Sequence, residues 1–187
     1  MNKGTAVLLA VVGIIVVIIM FFVGGYNSLV SKQTAVEEQA ANIDTQLQRR
    51  ADLIPNLVKT VKSFTDHETE VFAEVNEARE KLMAAGTMAE KSEANEEVSS
   101  ALNKLIAVAE SYPELKSDTV YVGLMDELAG TENRISYARQ NYNEAAASYN
   151  KAIKMFPGVF FANMFGFEKA ELFEAAEGAE QVPDVDL

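Results

Sequence analysis

The chain opens with an unbroken apolar stretch. Residues Ala6–Val23 read AVLLAVVGIIVVIIMFFV without a charge, and Gly24 and Gly25 complete the roughly 20 residues that a membrane-spanning helix needs. The alternative is a cleaved secretory signal, whose apolar region is usually about 7–15 residues long and follows a positive start. Only Lys3 precedes this longer stretch, so the pattern favours a retained transmembrane anchor.

A long stripe of apolar residues follows the anchor. Its members are spaced alternately by four and three residues, which is typical of a helix that packs along another helix. Pro55 lies inside the stripe and crowds the carbonyl of Ala51, so we expect a kink near Arg50–Pro55. We expect one helix from Tyr26 to the end of the stripe. The stripe comprises Val36, Ala40, Ile43, Leu47, Arg50, Ile54, Leu57, Val61, Phe64, Glu68, Val71, Val75, Ala78 and Leu82.

A second, shorter helix is predicted after a polar connection. Met83–Glu93 is polar and contains Gly86, which predicts a loop. A shorter apolar stripe then runs from Val98 to Tyr112. Pro113 should end that helix, because the residue before a proline disfavours the helical conformation.

A third helix is predicted to begin near Ser117–Thr119, which offers the side chains that cap helix N-termini. Its apolar stripe keeps the same spacing from Tyr121 to Phe156 and stops at Pro157-Gly158. Three striped helices joined by short links predict an all-α fold. We expect a single N-terminal transmembrane helix that continues into an elongated antiparallel bundle of long helices.

The end of the chain differs from this pattern. Val159–Phe167 carries four phenylalanines, and the residues from Glu168 onward hold seven acids and one lysine, which predicts a mobile or peripheral tail. The expected organisation is a transmembrane anchor over residues 1–25, a helical bundle over 26–157, and an aromatic segment with an acidic tail over 158–187.

Charge and composition exclude several functions. The net charge is −12, which argues against nucleic-acid binding because that requires an excess of Lys and Arg. The 187 residues include one histidine and no cysteine, so the usual zinc ligand sets and thiol chemistry are excluded. A serine triad would have to use His67 on a predicted helix. We therefore expect no enzyme, catalytic residue, metal site or cofactor.

Two charged residues, Arg50 and Glu68, interrupt the first stripe. Charges on a buried stripe need partners, and these two are too far apart along one helix to pair with each other. Candidate partners are Asp126, Glu127 or Glu132 for Arg50, and Arg134 or Arg139 for Glu68. Two interpretations stay open: pairs that set the register of the helices, or a groove for a partner protein.

Asn143 and Asn150 are seven residues apart, so they share one face of the third helix beside its stripe. As with a buried asparagine in a coiled coil, hydrogen bonds that set register are expected. The aromatic side chains of the last segment have three open interpretations: a cap on the bundle, an element in the lipid interface, or a patch that docks a partner. They include Phe160, Phe161, Phe165 and Phe167.

The chain resembles the LemA family of bacterial membrane proteins. The most specific motif is Arg49-Arg50-x-Asp52-Leu53-Ile54-Pro55-Asn56-Leu57, followed by the Tyr-Asn pairs before the final Phe-Pro. The resemblance spans almost the whole chain except the acidic tail. Its blocks are YNSLV (26–30), IDTQLQRRADLIPNLVKTVKSFTDHE (43–68), AVAESYPELK (107–116) and ENRISYARQNYNEAAASYNKAIKMFP (132–157).

The resemblance implies a single-span anchor, a bundle of long helices and no established enzyme activity. Members of the family resemble accessory, scaffold or signalling components, and one relative is linked to magnetosome membranes. The partners implied are membrane peptidases and TPM-domain proteins. From the residues we expect the lipid bilayer and a second copy of the chain as partners, with a homo-oligomeric scaffold as the first hypothesis and an adaptor as the second. Lys3 on the short arm slightly favours a cytoplasmic N-terminus, with the bundle on the other side.

Overall fold

The computed structural model describes residues 3–65 and 67–173, and this part of the chain contains helices and no strand. The all-α prediction is therefore confirmed. The described residues form six helices: α1 (Lys3–Lys62), α2 (Thr69–Ala84), α3 (Met88–Glu110), α4 (Pro113–Lys116), α5 (Thr119–Lys154) and α6 (Gly158–Phe165).

Helix α1 joins the apolar stretch to the rest of the fold. It runs for 60 residues without interruption and contains Pro55. The prediction that the apolar helix continues directly into the helix of the first stripe is therefore confirmed. Its large apolar side chains between Val7 and Met20 are exposed. This is the one helix among the described residues that is long and apolar enough to cross a membrane.

The first long helix ends earlier than its stripe predicted. The expectation of one helix through Leu82 is wrong, because residues 63–68 separate α1 from α2. The Ser63 hydroxyl donates to the Thr60 carbonyl at 2.6 Å. Thr65 is buried, and its hydroxyl accepts a bond from the Tyr112 hydroxyl at 2.9 Å. Hydroxyl side chains that bond in this way compete with helical backbone bonds and favour a break.

The connection between α2 and α3 is shorter than predicted. The expected loop over Met83–Glu93 shrinks to residues 85–87, because α3 begins with a capping box. The Thr87 side chain accepts from the Glu90 N–H, and the Glu90 carboxylate accepts from the Thr87 and Gly86 N–H groups. These backbone donors hold the pKa of Glu90 below its usual value. The pattern Thr-x-x-Glu is a sequence signal for this start.

Helix α5 begins as predicted and ends slightly early. Asp118 Oδ1 accepts from the N–H groups of Val120 and Tyr121 at 3.0 and 2.9 Å, which confirms the predicted cap. The helix ends at Lys154, so Phe156 lies outside it. Towards this end Ala146 and Ile153 are buried, one position beyond the predicted stripe. An α-helix has about 3.6 residues per turn, so a stripe predicted from a repeat of 3.5 residues gradually moves off the buried face.

The chain divides into two compact units. The first is Met1–Glu38 with Glu144–Ala170, and the second is Gln39–Asn143 with Glu171–Leu187. In the second unit α2 and α3 run antiparallel, as the ion pairs Lys81–Glu97 and Lys104–Glu74 show. The core of that unit includes side chains that are almost fully buried: Ile43, Ile54, Leu57, Val61, Val75, Val98, Leu105, Leu115 and Thr131.

Pro55 leaves one backbone carbonyl of α1 without its helical donor, and a side chain from another helix bonds to that carbonyl. Proline has no N–H, so the Ala51 carbonyl loses its helical donor. Ala51 is fully buried, and an unpaired buried carbonyl would be destabilising. Arg79 on α2 donates from Nε to this carbonyl at 2.8 Å. The expected clash with Ala51 is thus accompanied by a specific contact between α1 and α2, while the predicted kink stays a prediction.

Candidate functional site

Arg50 is the buried charge of the second unit. Its side chain is 6% exposed and its Nη1 lies 2.7 Å from Glu132 Oε2, one of the three acids that the sequence suggested. Nη1 also donates to Asn95 Oδ1 at 2.6 Å, and Nη2 donates to Ser99 Oγ at 2.9 Å. One guanidinium therefore joins α1 to both α3 and α5.

The electrostatics of Arg50 follow from this burial. Loss of water lowers the pKa of Arg50, and the negative charge of Glu132 opposes that shift. Glu132 is about half exposed, so it neutralises the buried cation while keeping much of its own hydration. A planar guanidinium has enough donors to satisfy a carboxylate, an amide and a hydroxyl together. This arrangement fixes the relative positions of three helices.

Glu68 does not share this environment. It is half-buried at the residue before α2, where its side chain makes no capping hydrogen bond. Among the described residues neither Arg134 nor Arg139 forms an ion pair with it, and Arg134 instead lies 3.7 Å from Glu127. The sequence placed Glu68 on a continuous helical stripe, and the break before α2 removes that continuity.

Asn150 binds backbone in the first unit. Its Nδ2 donates to the Ala170 carbonyl at 2.8 Å, and its Oδ1 accepts from the Ala170 N–H at 2.9 Å. Both bonds go to the same peptide residue, so the amide side chain acts as a neighbouring strand would. Asn150 is 8% exposed. The side chain was expected to bond to another helix, but it holds a returning, non-helical part of the chain.

Asn143 makes the same pair of bonds in the second unit. Its Nδ2 donates to the Phe173 carbonyl and its Oδ1 accepts from the Phe173 N–H, both at 2.9 Å. The Tyr142 hydroxyl donates to the Glu171 carbonyl at 2.8 Å. Burial raises the pKa of Tyr142, and the negative charge of Glu171 raises it further, so the hydroxyl keeps the proton that it donates.

The start of the acidic tail is therefore held in place. The tail from Glu168 was expected to be mobile or peripheral, and mobility is wrong for residues 168–173, since the backbone of Ala170 and Phe173 is bound and the Phe173 side chain is buried. Backbone recognition by asparagine does not depend on the bound segment's side chains, which is why the acidic composition gave no hint of it. The remaining acidic residues, 174–187, lie outside the described residues.

The predicted aromatic residues pack on α1 in the first unit. Phe161 is fully buried, with its ring centroid 5.4 Å from that of Phe21 and 5.7 Å from that of Phe22. Phe160 also contacts Phe22, with centroids 5.9 Å apart. The ring separations are those of favourable aromatic pairs. The aromatic segment is therefore docked against the last residues of the apolar stretch.

The other two aromatic residues contact Tyr26. The ring centroids of Phe165 and Phe167 lie 4.9 and 5.8 Å from that of Tyr26. Gly25 makes the approach of the Phe161 ring possible, because a Cβ atom there would overlap the ring, whereas nothing lies near Gly24. The close approach of α6 thus requires glycine at position 25 and not at position 24.

A surface groove of about 380 Å³ lies in the second unit between α1 and α5. Its lining is rich in amide side chains, and the Tyr137 side chain is 67% exposed beside it. Gln46 Oε1 is buried and has no hydrogen-bond partner among the described residues. The lining residues are Gln39, Asn42, Gln46, Asn133, Arg134, Tyr137, Ala138 and Asn141. Sequence reasoning missed this groove, because these polar residues lie outside the apolar stripes.

The fold and these contacts define an all-α protein with one candidate membrane span, whose polar side chains join helices and hold a returning C-terminal segment. A family model described as "LemA family" matches residues 39–187. The chain belongs to the LemA family. Family membership and the candidate span together indicate a membrane protein.

Curated relatives are similar over most of the chain. Magnetosome protein MamQ 2 of Paramagnetospirillum magneticum is 28% identical over 175 residues, which cover 80% of this chain and 64% of that protein. MamQ of Magnetospirillum gryphiswaldense is 27% identical over 174 residues, with coverage of 79% and 64%. Protein LemA of Metamycoplasma hominis is 24% identical over 157 residues, with coverage of 83% and 72%. The match spans less than two thirds of the length of the MamQ relatives.

The family match also corrects the C-terminal boundary of the resemblance. It extends to residue 187, so the expectation that the acidic tail lies outside the family pattern is wrong. It begins at residue 39, after the YNSLV block at 26–30. The tail carries the backbone that Asn143 binds, which gives a structural reason for its place in the family pattern.

We expect reversal of the charge at Arg50 to be strongly destabilising. In Arg50→Glu a carboxylate would face Glu132 and the Asn95 oxygen in a buried site, and breaking a buried ion pair costs about 3–5 kcal/mol. Arg49→Glu is the matched control, since Arg49 pairs with Glu127 while half exposed, and such pairs contribute about 0–1 kcal/mol. Thermal unfolding followed by circular dichroism in detergent measures both. Equal melting of the two variants would contradict the structural role of Arg50.

We expect Asn150→Asp to release the C-terminal segment. The carboxylate cannot donate to the Ala170 carbonyl and repels it, and each lost bond is worth about 1 kcal/mol. Lys169 is the only basic residue after Lys154, so trypsin reports this site by freeing residues 170–187. Mass spectrometry should show this release at least about tenfold faster than in the native chain.

The control for this experiment is Asn133→Asp, which makes the same chemical change at an exposed position of α5. Its cleavage after Lys169 should match that of the native chain. If Asn150→Asp also matched, Asn150 would not hold the segment.

Proposed function

We propose that this protein is a non-enzymatic, membrane-anchored helical scaffold that associates with itself and organises membrane or membrane proteins. The apolar part of α1 is its retained anchor. The single observation that carries self-association is the amide-lined groove of the second unit, in which the side chain of Tyr137 is 67% exposed.

The chemistry of the groove suits a second copy of the same surface. Amide side chains carry both donors and acceptors, so two copies related by a twofold axis can satisfy each other. Tyr137 and Arg134 flank the groove, with the Arg134 side chain 43% exposed. Tyrosine and arginine are the residue types that most often dominate binding energy in protein interfaces.

Anchoring in a membrane supports assembly through a weak surface. Copies that share one membrane meet at a high effective concentration, so an interface of modest affinity is sufficient. The names of the MamQ relatives associate those proteins with the magnetosome. That is compatible with a role in organising a membrane structure.

The second candidate function is an adaptor, in which the groove binds one membrane partner such as a peptidase or a TPM-domain protein. The observation that favours it is the same groove, because its amide side chains can also bond polar groups of a different chain. The two functions differ in the size of the complex, because an adaptor forms a small stoichiometric assembly and a scaffold forms a larger one from identical chains.

We expect Tyr137→Ala to weaken self-association. Truncation of a central interface tyrosine costs about 2 kcal/mol or more, which corresponds to at least about a tenfold loss of affinity. The measurement is the mass of the full-length protein extracted in its native lipid, expressed at low level. The native chain should form a homo-oligomer, and the variant should shift towards a single chain of 20.4 kDa.

Val120→Ala is the matched control, because Val120 is 59% exposed on α5 and lies outside the groove. Its mass should equal that of the native protein. A native mass of one chain, alone or with a different polypeptide, would overturn the scaffold. A recurrent second polypeptide lost in Tyr137→Ala would support the adaptor.

We also propose that the N-terminus is cytoplasmic and that the part of the chain after the span lies on the opposite side of the membrane. Lys3 on the short N-terminal arm supports this orientation, since positive charges near a span favour the cytoplasmic side. The chain has no cysteine, so Ser31→Cys, at an exposed position of α1, gives a unique label site. A membrane-impermeant maleimide should label it in intact cells that have an exposed inner membrane. Labelling only after lysis would reverse the orientation.

A further inference from the structure

The segment around α6 is apolar yet largely uncovered. Residues 155–167, MFPGVFFANMFGF, contain no charged side chain. Only Phe161 and Ala162 are buried within α6. The large side chains that remain exposed are Met155 (54%), Phe156 (81%), Val159 (36%), Phe160 (45%), Met164 (50%) and Phe165 (49%). Contiguous apolar surface of this kind marks a contact with another apolar phase.

The position of α6 along α1 is fixed by its buried ring. Phe161 packs against Phe21 and Phe22 and covers the backbone of Gly25. Phe21 and Phe22 belong to the uncharged apolar stretch, and Gly25 lies two residues after its end. Helix α6 therefore lies beside the last turn of the apolar stretch, at the level where a spanning helix leaves the hydrocarbon.

The exposed surface of α6 is continuous with the exposed surface of that stretch. Phe160 contacts Phe22, and the apolar side chains of α1 from Val7 to Phe21 are themselves exposed. If α1 spans a bilayer, the lipid that covers Phe21 must also meet the outward face of α6. A cap on the bundle would instead bury these side chains against protein, and only the Phe161 side of α6 is buried in that way.

We propose that α6 and the turn before it form a second membrane-inserting element, which lies at the lipid interface beside α1 with Phe156, Phe160 and Met164 in the acyl region. This rests on the proposed function only through the anchor. The ligand is a lipid surface. Its headgroup charge does not matter here, because the inserted face carries none. The insertion lets the chain contact one leaflet twice, once through α1 and once through α6.

The test uses tryptophan fluorescence, because the chain contains no tryptophan. Full-length Phe160→Trp is reconstituted into phosphatidylcholine vesicles that contain phosphatidylcholine brominated on its acyl chains. An interfacial helix places its apolar face about 5–10 Å into the boundary between headgroups and acyl chains, so we expect at least about twofold more quenching than at a solvent position. Bromines near the headgroup end should quench more than bromines near the methyl end.

Two further variants give reference values for strong and weak quenching. Val17→Trp lies within the apolar stretch and should be quenched more by bromines near the methyl end. Glu38→Trp lies on an exposed position 13 residues after Gly25, about 20 Å farther along α1, and should show little quenching. Phe156→Trp repeats the test at a position that is 81% exposed, where the larger ring disturbs no packing.

The outcomes separate this proposal from the anchor on which it rests. Strong quenching at positions 156 and 160 with the headgroup-end preference supports insertion of α6. Quenching at position 17 with positions 156 and 160 as weak as position 38 overturns insertion and leaves the anchor intact. Absence of quenching at position 17 overturns both the anchor and the insertion.

Discussion

The packing of the second unit depends on the positive charge of Arg50, which is buried in its core. Arg50 lies in the middle of the apolar stripe of α1, where a cation without partners would be strongly destabilising. Asn95 and Ser99 from α3 and Glu132 from α5 satisfy it. Because each donor of the guanidinium has a fixed direction, only one placement of these helices meets all the bonds at once. Apolar stripes alone tolerate sliding, whereas this set of bonds does not.

Elsewhere in the structure, polar side chains also bond to backbone groups that have no partner within a helix. Arg79 supplies the donor that Pro55 lacks. Asn150 and Asn143 each pair both of their amide groups with one residue of the returning chain. Such bonds hold a segment through its backbone, so its side chains remain available. In the described part of that segment the side chains of Glu168 and Glu171 are exposed.

The proposed function combines an apolar and a polar contact surface. The anchor and α6 present uncharged side chains to lipid, while the groove around Gln46 presents amides, an arginine and a tyrosine to protein. The net charge of −12 favours solubility of the part outside the membrane and discourages nonspecific association. A scaffold of this kind needs no reacting group, because its work is to hold positions at a membrane.

The sequence by itself determined the features that depend on neighbouring residues. The long N-terminal apolar helix, the stripe positions such as Ile43 and Ile54, and the Asp118 cap are all confirmed, because periodicity and local hydrogen bonds decide them. Tertiary structure alone decided the break before α2, where the buried Thr65 bonds to Tyr112 from the connection between α3 and α4. It also decided that Asn150 binds the backbone of Ala170 in the returning segment. Those partners are remote in sequence, so no local pattern records them, and only the folded chain brings them within bonding distance.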